Sequence, residues 1–205
     1  MKAKNIICIF LVRHGQTDWN VKGRIQGSLG VPLNKKGIAQ AKELAKKFKK
    51  MEITHVYSSH IRRAKQTAGI IAKPNKLNVR HNKDLRERSY GVLEGYMIED
   101  FRKKHPSINL REVGIDWKAP RGESIRQTMD RVLNAFKKIV GKHKLGDRVV
   151  IVSHGSSLLG LVHRLKGRAP ERVWSSKPLE NAEIIEVHMH AKKAKVIKSH
   201  KKSGS

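Results

Sequence analysis

Apolar residues in this chain gather into short unbroken runs and into longer stretches with a three-to-four-residue period, and the two kinds alternate. Ile6–Val12 is apolar at all seven positions and rich in β-branched residues. A run that short predicts a strand covered on both faces, as in a parallel sheet. Arg148-Val-Val-Ile-Val-Ser153 predicts a second strand of the same kind. Weaker strand signals lie at 54–57 and 79–81, and 182–188 with 195–197 reads as a closing hairpin.

Between these runs the period lengthens. From Asn34, a capping residue, a helix is predicted to about Lys50, with Ala41, Leu44, Ala45 and Phe48 on its inner face. Further helices are predicted over 60–72, capped by Ser58-Ser59, over 98–104, from Gly122-Glu-Ser to about Gly141, and over 156–165. Residues 18–32 carry Gly23, Gly27, Gly30 and Pro32 and read as a loop; 107–120 has no period and reads as an irregular cover. Alternating strands and helices predict one α/β domain over residues 1–197, followed by a polar, basic, disordered tail at 198–205.

The chemistry sits where the strands stop. The first run ends in Arg13-His14-Gly15 and the second in His154-Gly155. Parallel strands that end this way place two imidazoles and a guanidinium at the carboxyl edge of one sheet, where open α/β sheets bind ligands. Arg62, Arg63 and Gln66 open a helix, and a helix amino terminus already favours an anion.

Four stretches, in order, resemble the histidine phosphatase superfamily, which includes the cofactor-dependent phosphoglycerate mutases. They are Leu11-Val-Arg-His-Gly-Gln-Thr-Asp-Trp-Asn20, Tyr57-Ser-Ser-His-Ile-Arg-Arg-Ala-Lys-Gln-Thr-Ala68, Leu85-Arg-Glu-Arg-Ser-Tyr-Gly-Val-Leu-Glu-Gly95 and Val152-Ser-His-Gly155. The resemblance implies a three-layer sandwich, with a mostly parallel central sheet and helices on both faces. It implies that His14 is the nucleophile and is phosphorylated. Arg13, Arg63 and His154 then surround the phosphate, Gly155 supplies a backbone N–H, and Glu87 is the proton donor and acceptor. Asn20, Gln26, Gly27 and Tyr90 match positions that contact substrate. Without the family, Glu87 reads as a surface salt bridge to Arg86 or Arg88.

Ser156 stands where the mutases usually carry asparagine, and Lys103, Lys104, Arg111 and Lys118 do not align with their extra basic residues. The expected activity is therefore hydrolysis of a small phosphorylated metabolite, with phosphoglycerate mutase as the alternative. No cofactor is expected for a phosphatase, and 2,3-bisphosphoglycerate only for a mutase. No metal site is expected, because arginines supply the positive charge and the histidines show no paired ligand spacing.

Composition changes this picture in two places. Cys8, inside the first run, is the single cysteine, so no disulfide forms within the chain, which suits a reducing cytoplasm. Lys2 and Lys4 before an apolar run mimic a secretion signal, but seven residues followed by Arg13-His14 do not make one, and no run approaches a membrane span. Charge is the second. Lysine and arginine number 45 against 17 acids, a net of +28. Such a field steers anionic substrates and also attracts nucleic acid, which is expected to be incidental. The lysines concentrate at Lys35–Lys50 and Lys192–Lys202. A third reading, a polyanion-binding protein on this fold, rests on that charge; monomer and homodimer both stay open.

Overall fold

The computed structural model describes residues 5–104, 114–173, 176–190 and 193–200. The first run forms β1 (Ile7–Arg13), and its neighbours on one side are β4 (Arg148–Ser153), β2 (His55–Ser59) and β3 (Val79–Asn82), all parallel. On the other side β5 (Ile184–His190) pairs antiparallel with β1 and β6 (Lys193–His200) antiparallel with β5, giving the order β3-β2-β4-β1-β5-β6. The mostly parallel sheet holds as expected. Strand β6 takes in residues 198–200, which the sequence reading assigned to the tail; residues 201–205 lie outside the described residues.

β1 is apolar throughout because both faces are covered. Ile7, Ile9 and Leu11 pack with Val132, Phe136, Leu158 and Leu161 of α5 (Ile125–Val140) and α6 (Gly155–Leu165). Cys8, Phe10 and Val12 pack with Leu44, Phe48, Ala64 and Ala68 of α2 (Lys35–Lys50) and α3 (Arg62–Ala72). Burial pushes the Cys8 thiol above its ordinary range, which keeps it protonated and inert. No helix of the described residues is long and apolar enough to cross a membrane.

Two boundaries differ from the sequence reading. Asp18–Val21, expected as loop, is a helical turn, α1, because Thr17 and Asn20 form a capping box. Helix α3 starts at Arg62, not His60; Ile61 is its cap, while Ser58 and Ser59 finish β2 and Ser59 Oγ accepts from the Ile61 amide at 3.2 Å. Gly15 owes its lack of side chain to helix packing. A Cβ there would lie 2.5 Å from the Gly37 carbonyl oxygen, and one on Gly37 would lie 2.0 Å from that of Gln16. Helices α4 (Ile98–Lys104) and α5, the latter capped by Ser124 and Gln127, match the prediction. Of the expected cover, 107–113 lie outside the described residues, and 114–120 is a turn that buries Ile115 and Ala119.

Candidate active site

The carboxyl ends of β1 and β4 bring His14 and His154 together, with ring centroids 5.2 Å apart and exposures of 2% and 0%. The two differ in how they are held. His14 Nδ1 lies 2.7 Å from the Gly15 carbonyl oxygen, which only an N–H can satisfy, so the Nε2 lone pair is left to act. Among the described residues neither ring nitrogen of His154 has a hydrogen-bond partner, nor does Arg13 Nε. A buried imidazole without partners is costly unless a polar ligand meets it.

Arg63, 1% exposed, organises the rest. Its Nε donates to His14 Nε2 at 3.2 Å, and its two terminal nitrogens donate to the carbonyls of Leu29 (2.7 Å) and Gly27 (2.8 Å). Burial pushes this guanidinium down to about 10, which leaves it charged near neutrality. Gly27 is held in a left-handed conformation, φ +47°, against the Glu94 carboxylate, which also accepts from the Ser28 amide at 2.9 Å. Arg13 donates to the Leu179 carbonyl and leans over Gly155, where a Cβ would stand 3.5 Å from the guanidinium carbon.

Glu87 is not a surface partner of Arg86, which pairs with Glu123 at 2.5 Å. At 9% exposure it faces the start of α6. Oε1 accepts from the Arg88 amide (2.9 Å), the Ser157 amide (3.1 Å) and the Ser157 hydroxyl (3.2 Å), and Oε2 from the Ser156 amide (3.2 Å). When ionised, its carboxylate favours the charged forms of both Arg13 and Arg63.

Arg13, His14, Arg63, Glu87, Asn20, Gln26, Gly27, Tyr90 and Gly155 all line one cavity of about 330 Å³. Asn20 is more committed to structure than the resemblance implies, since its Oδ1 accepts from Thr17 and from Asn181. Tyr90 and Ser156 share a hydrogen bond of 3.1 Å. Lys103, Lys104 and Lys118 do not line the cavity, and Arg111 lies outside the described residues.

Sequence reasoning missed two groups. Thr67 accepts from the Gly15 amide (3.1 Å) and Asn181 donates to the His14 carbonyl (3.2 Å); both fix the backbone at His14 and Gly15, and neither lies in a strand-end pattern. The outer cavity is lined by Ile25, Ile98, Ile125, Met129, Leu159 and Val173, with Arg24 and Arg102 among them. These come from five separate segments, so no local spacing announces them.

Burial, then the charges of Arg63 and neighbouring groups, hold both imidazoles well below the ordinary range, so both are neutral at pH 7. In the unfolded chain they take protons below about pH 6.5. The unfolded state therefore gains stability as pH falls through that value, and the native state loses it. Each histidine is expected to add about 1.4 kcal/mol per pH unit to the acid-side loss of unfolding free energy. Urea unfolding between pH 7 and 5 measures the slope. His154→Gln should remove roughly one histidine's share of it, and an unchanged slope would mean that His154 is not buried neutral.

Residues 9–201 match the family model described as histidine phosphatase superfamily (branch 1). A phosphoglycerate mutase-like protein of Arabidopsis thaliana is 41% identical over 169 residues, covering 78% of this chain and 72% of that one. A metal-independent phosphoserine phosphatase of the same plant is 38% identical over 193 residues, covering 90% and 77%. Among solved structures, a mycobacterial glucosyl-3-phosphoglycerate phosphatase in complex with VO3 superposes with a TM-score of 0.87. It is 27% identical over 93% of this chain and 97% of that chain.

Proposed function

Because the chain belongs to the histidine phosphatase superfamily, we propose that it hydrolyses a small phosphomonoester through a phosphohistidine at His14. The observation that carries this is the contrast between the two imidazoles. His14 is tethered at Nδ1 with Nε2 turned to Arg63, whereas His154 and Arg13 Nε hold buried donors and acceptors that meet no partner among the described residues.

In the first step His14 Nε2 attacks phosphorus, the ester P–O bond breaks, and Glu87 gives a proton to the departing alkoxide. Arg63 Nε turns from the imidazole to a phosphoryl oxygen, and Arg13 and His154 take the other equatorial oxygens, where charge builds up. The Gly155 amide adds a further donor. In the second step water gives its proton to Glu87 and displaces the phosphate, so the enzyme returns to its starting state. Charge neutralisation rests on arginines, and the scheme calls on neither metal nor cofactor.

The outer cavity selects the rest of the substrate. Six aliphatic side chains line it, so an apolar or aromatic body is favoured over the small polar bodies of phosphoserine and phosphoglycerate. Each buried methylene is worth about 0.8 kcal/mol. Aryl or branched-alkyl monophosphates should therefore exceed phosphoserine in kcat/KM by roughly tenfold or more for two such groups. A panel of phosphorylated metabolites, sugars, nucleotides, phosphopeptides and aryl phosphates, read by phosphate release, measures this. A profile led by phosphoserine would discard the apolar criterion while keeping the hydrolase. The alternative, a mutase, is favoured by the Arabidopsis mutase-like relative and would draw on Arg24 and Arg102 for a second phosphate. Turnover of 3-phosphoglycerate sustained only after priming with 2,3-bisphosphoglycerate would decide for it.

A further inference from the structure

The excess positive charge extends well beyond the arginines that line the cavity. Helix α2 starts at the cavity end of the sheet, where Gly37 meets Gln16 next to His14, and runs toward the opposite pole. At 1.5 Å per residue, Lys49 lies about 18 Å from Gly37 along the helix. Its last turns expose Lys46, Lys47, Lys49 and Lys50, and Lys73 and Lys76, which follow the neighbouring α3, are exposed beside them. One ion pair, Lys46 with Glu43, falls within this patch among the described residues. On the opposite flank Arg126 pairs with Asp116, Arg131 with Glu123 and Arg164 with Asp130, while Lys137 and Lys138 of α5 are exposed.

Two ordinary explanations fall short. A helix carboxyl terminus carries about half a negative charge, which one cation complements. Steering of a substrate into the cavity fades beyond the Debye length of about 8 Å at physiological salt, less than half the distance here. We propose that the patch at the ends of α2 and α3 binds the phosphate backbone of a nucleic acid, by charge and without reading base sequence. Lysine is a compact point charge suited to that contact. Phe48, the aromatic residue of these two helices, is buried, so they offer no platform for stacking bases. Ile38 is the large apolar side chain exposed on them, at 37%, and it stands at the cavity end. Nothing on the patch itself would enter a lipid acyl layer, which disfavours a membrane surface.

The test is fluorescence anisotropy with a 20-base-pair DNA duplex of arbitrary sequence, between about 0.05 and 0.2 M salt. Six lysine–phosphate contacts give a slope of log affinity on log salt near −5, about 0.9 per contact. The triple variant Lys46→Glu/Lys49→Glu/Lys50→Glu should flatten that slope by about 3 and weaken binding at least ~30-fold at 0.1 M salt. Its kcat/KM on a small aryl phosphate should stay within about twofold of the parent, because these charges are screened from the cavity. The proposal is overturned if the triple variant binds the duplex as the parent does. It is equally overturned if the parent ignores the duplex while binding vesicles of phosphatidylcholine and phosphatidylserine at the same salt. Phosphate release from the same samples reports on the hydrolase separately.

Discussion

Mixed with an aryl phosphate and quenched in alkali, the protein should carry one phosphate, on His14, stable to base and lost in acid. The expectation follows from how the ring is held. An imidazole attacks through one nitrogen and must keep the proton on the other, and the Gly15 carbonyl at 2.7 Å secures that proton on Nδ1. His154, with neither nitrogen tethered, is suited to donate to a phosphoryl oxygen and not to form the covalent bond. Burial and two arginines keep His14 neutral well below pH 6.5, so its nucleophilic form persists into mildly acidic solution. The acid limb of kcat/KM should therefore fall below the usual histidine range. His14→Ala removes the attacking atom and strands Arg63 Nε. Turnover should drop by at least ~10³-fold, since nucleophile and partners act as a unit. Retention of more than about a hundredth of the rate, or phosphate trapped on His154, would remove the covalent mechanism.

That much was legible because the chemistry is local in sequence. A strand that ends in Arg13-His14-Gly15 and another that ends in His154-Gly155 announce themselves by an abrupt change from apolar to polar, and parallel pairing of β1 with β4 brings the ends together. Arg63 and Glu87 came through the resemblance and not through pattern, since a basic helix start and a polar stretch have many uses. What stayed hidden depends on long-range contact. The meeting of Gly15 with Gly37 spans a helical turn, a loop and a helix start, so no local pattern shows it. Thr17 and Asn20 do form a signature, but the glycines that follow masked a single helical turn. The apolar wall is assembled from side chains that each look like ordinary core in their own segments.

The sharper chemical question concerns Glu87, and Glu87→Gln should split substrates by leaving group. A carboxyl can release a proton to an alkoxide and an amide cannot, so an alkyl phosphate should lose about 10²- to 10⁴-fold in kcat. The 4-nitrophenolate ion is stable without protonation, and its phosphate should lose no more than about tenfold in the same step. The substitution has a structural cost that must be told apart from this. Oε1 can still accept from the Arg88 and Ser157 amides, but the new NH₂ faces the Ser156 amide across 3.2 Å, donor against donor. One lost hydrogen bond of about 1 kcal/mol lowers the melting temperature of a domain this size by roughly 2–4 °C. A purely positional Glu87 would give that thermal shift together with equal losses on both substrates. A proton donor gives the same shift with unequal losses, and the ratio of the two rates measures what the proton is worth.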